Sequence, residues 1–307
     1  MNKNYIFFQK AGVILIVVFF FGNSIIPMVG SEDEGYSNVY LEEYHQMESN
    51  QGSEDLKNKN DKQGDTRATW IDGWPYRKQI TIDHENVSED LTNFPLLISL
   101  DHDDHLSSIA QENGADIVFT DNSGNTILPH ELELYDNSSG QIIAWVNVSS
   151  VSTLSDTILY MYFGNGSCSS QENPTEVWDG NYSAVWHLSN ETSTMVIDSS
   201  INENNGTKKA VGEPGEVTGL VDRAQNFDGA DDHITVSHNE SLTGFTESMT
   251  VSAWLKLDVV EDRRQFLLCK FADQNNRNGW FFEYRDNPTR GKRSEEHTSE
   301  LQSLLII

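Results

Sequence analysis

From Trp70 onward, the chain is a series of short runs in which apolar and polar residues alternate. Side chains of a β-strand point alternately to its two faces, so this alternation predicts strands that are buried on one side. Glycine, asparagine and serine separate the runs, which is typical of turns. The runs cover residues 76–83, 94–100, 116–121, 131–136, 141–148 and 157–164. Their spacing, without helical periodicity between them, predicts an all-β sandwich or barrel.

The same alternation returns near the end of the chain. Val251, Ala253 and Leu255 alternate with mostly polar residues, which predicts a half-buried strand. Trp254 falls on the polar face of that strand, so we expect it to be the best candidate for stacking on a sugar ring. Asp228-Gly229, in the stretch NFDGADDHITV, predicts a hairpin turn because both residues tolerate positive φ.

The first 30 residues have a different pattern. Lys3 and Lys10 precede an uncharged apolar run over residues 11–22, and small and polar residues follow. This layout predicts a hydrophobic N-terminal helix that is either a secretory signal peptide or, if the run extends to residue 29, a retained membrane anchor. Residues 31–69 are polar and acidic with few aliphatic residues, which predicts a disordered linker. In both cases we expect the remainder to be exported.

Composition narrows the possible partners. The formal charge is -28, and no basic stripe occurs, which argues against nucleic acid as a partner. Two cysteines far apart, Cys168 and Cys269, do not make a disulfide framework. Asn-x-Ser/Thr sequons would permit N-glycosylation in an exported protein. They lie at Asn86, Asn137, Asn147, Asn165, Asn181, Asn190, Asn205 and Asn239.

Several motifs between Trp70 and about Asn165 carry a resemblance to a known family. They are WPYRKQITID, FPLLISL, ADIVFTD, LPHELELY, AWVNV and YMYFGN, in this order. Residues 70–166 resemble a domain of unknown function that is common in archaeal and bacterial surface proteins. The resemblance implies a cell-surface location, and that family has no established chemistry to carry over.

Residues 175–292 resemble the opening half of a laminin-G-like, concanavalin A-like jelly roll. The motifs are VWDGNYSAVWHLSN, GLVDRAQNFDGADDHITV and SMTVSAWLKL. The resemblance implies calcium in a loop at the rim, where Asp273, Asn275 and Asn276 would supply oxygen ligands. A polar hairpin connection without metal is the alternative for this loop.

The last segment, residues 293–307, does not fit either domain. The peptide RSEEHTSELQS can be back-translated into a common short-read sequencing adapter, so we interpret it as an artefact. We therefore expect the natural protein to continue and its jelly roll to be truncated here.

Other polar clusters contain residue types that can catalyse reactions or bind metals, but they have simpler explanations. His130-Glu131 lacks the second histidine of a zinc protease, because Leu134 occupies that position. The stretch DHDDH at residues 101–105 has atoms that could bind a metal, but a solvated turn after the preceding strand is the default interpretation. Glu131 and Glu133 lie on one strand face without the third acid that jelly-roll glycoside hydrolases carry. Asp231 and Asp232 are weaker metal candidates than the Asp273 loop.

These features predict an exported or surface-tethered, non-enzymatic protein that binds an extracellular glycan or a surface protein. The alternatives are an extracellular glycoside hydrolase or lyase whose catalytic half is missing, and a structural cell-surface module. The membrane is a partner if the N-terminal helix is retained.

Overall fold

A computed structural model describes residues 17–20, 39–46, 70–189, 193–243, 249–256, 265–271, 279–284 and 302–303. The chain divides into two compact units. The first unit is Val29–Val177, and the second unit combines Met1–Met28 with Trp178–Ile307. Each unit is built mainly from antiparallel strands with few helical residues, which confirms the predicted all-β class.

In its described part, the first unit contains two antiparallel sheets. The five-stranded sheet has the order β2-β3-β9-β5-β6, and the three-stranded sheet has the order β4-β8-β7. The same described residues also form two short α-helices, α1 (Asp104–Ile109) and α2 (Pro174–Val177), and a 3-10 turn at His84–Asn86. The strands are β2 (Val39–Gln46), β3 (Tyr76–Ile82), β4 (Leu91–Leu100), β5 (Val118–Thr120), β6 (Ile127–Leu128), β7 (His130–Asp136), β8 (Gln141–Val151) and β9 (Thr157–Phe163).

The core of the first unit lies between these two sheets. In the smaller sheet, Ile98 pairs with Ala144 of β8, and both side chains are buried. In the larger sheet, Ile80 pairs with Leu159, and this pair belongs to the same buried cluster. The apolar faces of both sheets therefore meet in one core, as the period-two pattern predicts for a sandwich.

The second unit consists of smaller sheets around a separate core. Its cluster of buried residues includes Trp186, Phe227, Ile234, Val251 and Leu268. Strands β11, β12 and β15 form one sheet, and β13-β14, β17-β20 and β18-β19 form two-stranded pairs. The strands are β1 (Val17–Phe20), β10 (Tyr182–Trp186), β11 (Met195–Val196), β12 (Gly206–Lys208), β13 (Gly215–Thr218), β14 (Arg223–Asn226), β15 (Ile234–Val236), β16 (Thr250–Ser252), β17 (Trp254–Leu255), β18 (Gln265–Phe271), β19 (Gly279–Tyr284) and β20 (Gln302–Ser303). A 3-10 turn spans Glu240–Leu242.

The N-terminal helix that we predicted is not among the described elements. Instead, Val17–Phe20 form β1, which pairs with β10 on one side and with β16 on the other. Valine and phenylalanine favour strands because branched and aromatic side chains pack well on a pleated surface. Within the described ranges, none of the helices has the length and apolar character needed to cross a bilayer.

A tight approach of backbone to backbone fixes the turn between β7 and β8. Gly140 has a φ of 70°, and a Cβ atom built on it would lie 2.0 Å from the carbonyl oxygen of Asp103. The amide of Asp103 also donates to the carbonyl oxygen of Ser139 at 3.0 Å. The turn and the start of α1 are therefore in direct contact, and only glycine fits between them.

We expect Gly140→Ala to lower the free energy of unfolding by about 2 kcal/mol or more, because the new methyl group forces the backbone of Asp103 to move and strains a left-handed residue. Gly166→Ala is the matched control, since nothing lies within 4 Å of a Cβ atom at that position. Urea unfolding of the full chain, followed by tryptophan fluorescence, measures both effects. Equal midpoints for the two variants would contradict the close approach.

Candidate functional site

The outer face of the five-stranded sheet carries a cluster of aromatic rings around one arginine. The guanidinium carbon of Arg77, on β3, lies 4.3 Å from the ring centre of Trp70 and 4.1 Å from that of Tyr160. Arg77 pairs directly with Tyr162 of β9, and its guanidinium donates to the Tyr162 hydroxyl at 2.8 Å. Cation–π attraction and this hydrogen bond therefore hold the guanidinium between two rings.

Tyr162 ties this cluster to the rest of the sheet. Its hydroxyl donates to the carbonyl oxygen of Gly124 at 2.8 Å, in the connection between β5 and β6. Burial raises the pKa of Tyr162, and the hydrogen bond from Arg77 partly opposes that shift. The edge of the Tyr162 ring also meets Trp70, with ring centres 5.6 Å apart. The positions of the rings are thus fixed by several independent contacts.

Directly paired residues of neighbouring antiparallel strands share a face of the sheet, so the register identifies what surrounds Tyr160. Tyr160 pairs with Gln79 on one side and with Thr120 on the other, and Thr120 pairs with Ile127. Ile127 is exposed, whereas Gln79 and Tyr160 are partly exposed. We call Trp70, Arg77, Gln79, Ile127 and Tyr160 the aromatic face. It offers ring surfaces next to amide and guanidinium groups.

The aromatic face was not among our predicted sites. Its signal was present in the sequence, because Tyr160 and Tyr162 alternate in a predicted strand and Arg77 lies in another. What the sequence could not provide is the register that places Arg77 opposite Tyr162. Long-range pairing is set by the whole sheet and is not encoded in either strand alone.

A buried carboxylate in the first unit, that of Asp116, has a structural role. Asp116 is fully buried, and its carboxylate accepts from the amides of Gln111 at 2.7 Å and Gly164 at 2.6 Å. Its backbone carbonyl accepts from the indole of Trp74 at 2.6 Å. Asp116 thereby joins the segment before β3, the loop before β5 and the end of β9.

The acidic stretch 101–105 begins a helix. The carboxylate of Asp103 caps α1 by accepting from the amides of His105 and Leu106, and it also pairs with Lys78. Two groups of His, Cys, Asp and Glu in the described ranges have ligand atoms within 4.8 Å of one another, and neither includes residues from 101–105. Helix capping and an ion pair therefore account for Asp103.

His130 is fully buried at the start of β7. Its Nδ1 lies 3.0 Å from the carbonyl oxygen of Leu128, and its Nε2 lies 3.1 Å from that of Ile117. Burial lowers the pKa of His130, and the two carbonyl groups and the charge of Glu172 only partly offset this effect. The ring joins the segments around β5 and β6 to β7. His130 therefore has a structural role in this sheet.

Both glutamates of β7 lie beside Trp145 of β8. Glu131 pairs directly with Trp145, and the carboxylate of Glu133 accepts from the Trp145 indole at 2.7 Å. A register shift in β7 falls between Leu132 and Leu134, but these contacts keep the two glutamates on the same side of the sheet.

One of the two groups with metal-ligand spacing joins two loops of the first unit. His84 Nδ1 lies 2.6 Å from a carboxylate oxygen of Asp156, and the same oxygen accepts from the His84 backbone amide at 3.1 Å. Asp83 completes the group and caps the 3-10 turn through the amide of Glu85. The hydrogen bond to Asp156 raises the pKa of His84 above its ordinary value of 6.5.

The other group lies in the stretch NFDGADDHITV. The carboxylate of Asp228 accepts from the amides of Ala230, Asp231 and Asp232, and these bonds lower its pKa. Asp232 accepts in turn from the amide of Asp228 at 2.9 Å. Lys209 lies 2.7 Å from Asp231, so a protein cation compensates the nearest exposed carboxylate. These contacts stabilise the loop without a metal.

The turn predicted at Asp228-Gly229 is present, since Gly229 has a φ of 72°. The predicted hairpin is wrong, because the flanking strands do not pair with each other. β14 pairs with β13, whereas β15 pairs with β12. The side-chain bonds of Asp228 and Asp232 support a wider loop between two different sheets.

The remaining predicted residues have different environments. Trp254 is only 6% exposed, so it is a core residue here and presents no open ring face to a sugar. Asp273, Asn275 and Asn276 lie outside the described residues, as does the sequon at Asn190. Of the other sequons, Asn86, Asn181 and Asn205 are exposed. Asn137, Asn147, Asn165 and Asn239 are partly buried.

Comparison with known proteins identifies one family. Residues 113–211 match the family described as Domain of unknown function (DUF2341). The match begins before β5 and extends through β12, so it covers part of each compact unit. The laminin-G-like resemblance of the second unit has no counterpart in this comparison. No curated protein matches the chain, and no solved structure matches it.

We expect Asp156→Asn to lower the pKa of His84 towards 6.5, because the substitution removes the hydrogen-bonded carboxylate that raises it. An NMR titration of the histidine ring measures this change. Asp90→Asn is the control, since Asp90 contacts Thr153 in the neighbouring loop. The pKa of His84 should stay raised in that variant, and an equal fall in both variants would exclude a specific pair.

We also expect the contribution of His130 to the free energy of unfolding to fall as the pH drops below about 6.5. The folded-state pKa of His130 is lowered, so the unfolded chain binds the proton more readily and acid favours unfolding. One such proton contributes a slope of at most about 1.4 kcal/mol per pH unit. Urea unfolding between pH 5.5 and 7.5 should show a shallower fall in His130→Asn than in the parent chain. Gly166→Ala, which leaves every ionisable group in place, should keep the parent slope.

Proposed function

We propose that this chain is an exported, non-enzymatic surface protein that binds an extracellular glycan through the aromatic face. The observation that carries the proposal is the pair of rings, Trp70 and Tyr160, on either side of Arg77 on a partly exposed sheet face. Aromatic rings stack on the apolar faces of sugars, and nearby amide and guanidinium groups match sugar hydroxyl groups. A flat sheet face suits an extended chain of sugars better than a single small molecule.

The second unit is proposed to be a laminin-G-like jelly roll that extends this recognition. Its sequence motifs and its antiparallel sheets around one buried cluster support this assignment. Calcium in the Asp273 loop belongs to the same proposal. The N-terminal apolar run supports export, either as a cleaved signal or as a retained anchor.

The acidic composition supports a glycan in preference to an anionic partner. Residues 70–177 contain Arg77 and Lys78 as their only lysine or arginine residues, and Lys78 pairs with Asp103. A surface with so few cations does not attract polyanions such as nucleic acid. Neutral sugars need stacking and hydrogen bonds instead of charge, and the aromatic face offers both.

A glycan array tests the proposal with the full chain, in the presence and absence of calcium. We expect Tyr160→Ala and Trp70→Ala each to weaken binding by about tenfold, which corresponds to the loss of about 1.4 kcal/mol of stacking. Leu154→Ala is the matched control because its side chain is 85% exposed in a loop. Binding that requires calcium but is unchanged in both aromatic variants would place the site in the second unit. A folded, monodisperse chain that binds no glycan would refute the proposal.

A further inference from the structure

A buried polar cluster organises one loop of the second unit. Asp198 is 5% exposed, and its carboxylate accepts from the amides of Val185, Ser200 and Asn204 at 2.7 to 2.9 Å. The backbone amide of Asp198 in turn donates to the side-chain oxygen of Asn205 at 2.8 Å. Asn205 therefore contributes an acceptor to this cluster, and it does so through Oδ1.

The nitrogen of the Asn205 side-chain amide takes no part in the hydrogen bonds of this cluster. Asn205 is exposed, and no hydrogen bond from its Nδ2 is found among the described residues. Thr207, two residues later, is also exposed and completes an Asn-Gly-Thr sequon. The geometry thus separates the two functions of one side chain: the oxygen holds the loop, and the nitrogen is accessible.

The other sequons of the described ranges lack this combination. The side-chain nitrogen of Asn147 donates to the carbonyl oxygen of Glu176, and that of Asn239 lies 3.5 Å from the carbonyl oxygen of Asn202. Asn86 and Asn181 are exposed, but their nitrogens donate to Asp83 and Asp179 respectively. Asn137 and Asn165 are partly buried.

We propose that Asn205 is an N-glycosylation site whose modification leaves the folded loop intact. The proposal rests on the export of the chain that we propose above. The donor is a sugar carried on an isoprenoid phosphate: a bond forms between Nδ2 and C1 of the sugar, the bond from C1 to the phosphate oxygen breaks, and Nδ2 loses one proton. The product is still an amide, so Oδ1 keeps its lone pairs and continues to accept from the amide of Asp198.

The test uses the full chain in a secretory host that attaches N-linked glycans, in two versions. One version has its own N-terminus, and the other has the leader peptide of a host protein added. An amidase that leaves aspartate at each former attachment position, followed by peptide mass spectrometry, identifies the modified asparagines in the secreted protein. We expect Asn205 to be modified in the secreted protein. The thermal midpoint of the glycosylated protein should lie within about 2 °C of that of the same chain produced with N-glycosylation inhibited, which keeps Asn205 as asparagine.

Two variants at Thr207 give a matched comparison that preserves the Asn205 hydrogen bond. Thr207→Ala destroys the sequon and should abolish modification at Asn205, whereas Thr207→Ser should retain it. Secreted, leader-bearing protein in which Asn205 is unmodified would overturn the inference. Secretion of the two versions tests the proposed export separately. If only the leader-bearing version is secreted, the proposed export is wrong. The modification of Asn205 in that version still tests whether Asn205 is a glycosylation site.

Discussion

The two sheets of the first unit each have one apolar face, and the burial of these faces against each other is the interaction on which the rest of that unit depends. With few helical residues to cover either sheet, each sheet must serve as the other's partner. Core residues such as Ile80, Phe119 and Ile142 are fully buried as a result. Burial of each such side chain contributes about 1.5–3 kcal/mol, so the period-two pattern is under strong energetic constraint. The outer face of the five-stranded sheet is partly exposed, since Ile127 is exposed and Gln79 and Tyr160 are partly exposed.

Packing the sheets creates a second requirement, because the chain must turn often and each turn leaves backbone amides without strand partners. Aspartate meets this need repeatedly. Its carboxylate accepts backbone amides at Asp83, Asp103, Asp116, Asp136, Asp198 and Asp228. Short aspartate side chains reach amides two or three residues ahead, which organises turns and caps. Much of the acidic composition thus has a local structural cause.

Predictions from sequence succeeded where the signal lies within a short stretch of the chain. The strands follow from alternation, and His130 follows from the absence of a second ligand, because both signals are local. For the stretch 101–105 and the Asp228 loop, the sequence favoured a turn and kept metal binding as the alternative, because a metal ligand and an amide acceptor have the same oxygen atoms. In the structure, these oxygens accept from the amides of His105 and Ala230.

The predictions that failed depended on contacts between residues far apart in the sequence. The Asp228-Gly229 turn is local and is present, but the hairpin required β14 to pair with β15, and each found another partner. Trp254 was predicted to be exposed but is buried. Alternation assigns a residue to one face of a strand, but it does not show whether other parts of the protein cover that face.

The carboxylates of the acidic loops have structural roles, because those of Asp103 and Asp228 accept backbone amides. In the aromatic face, Arg77 and Tyr162 hold each other in place through contacts within the sheet. Trp70 and Tyr160 are then positioned by the scaffold before any ligand arrives, so little conformational freedom is lost on binding. This partly exposed face on rigid strands is therefore the surface on which our proposal places recognition.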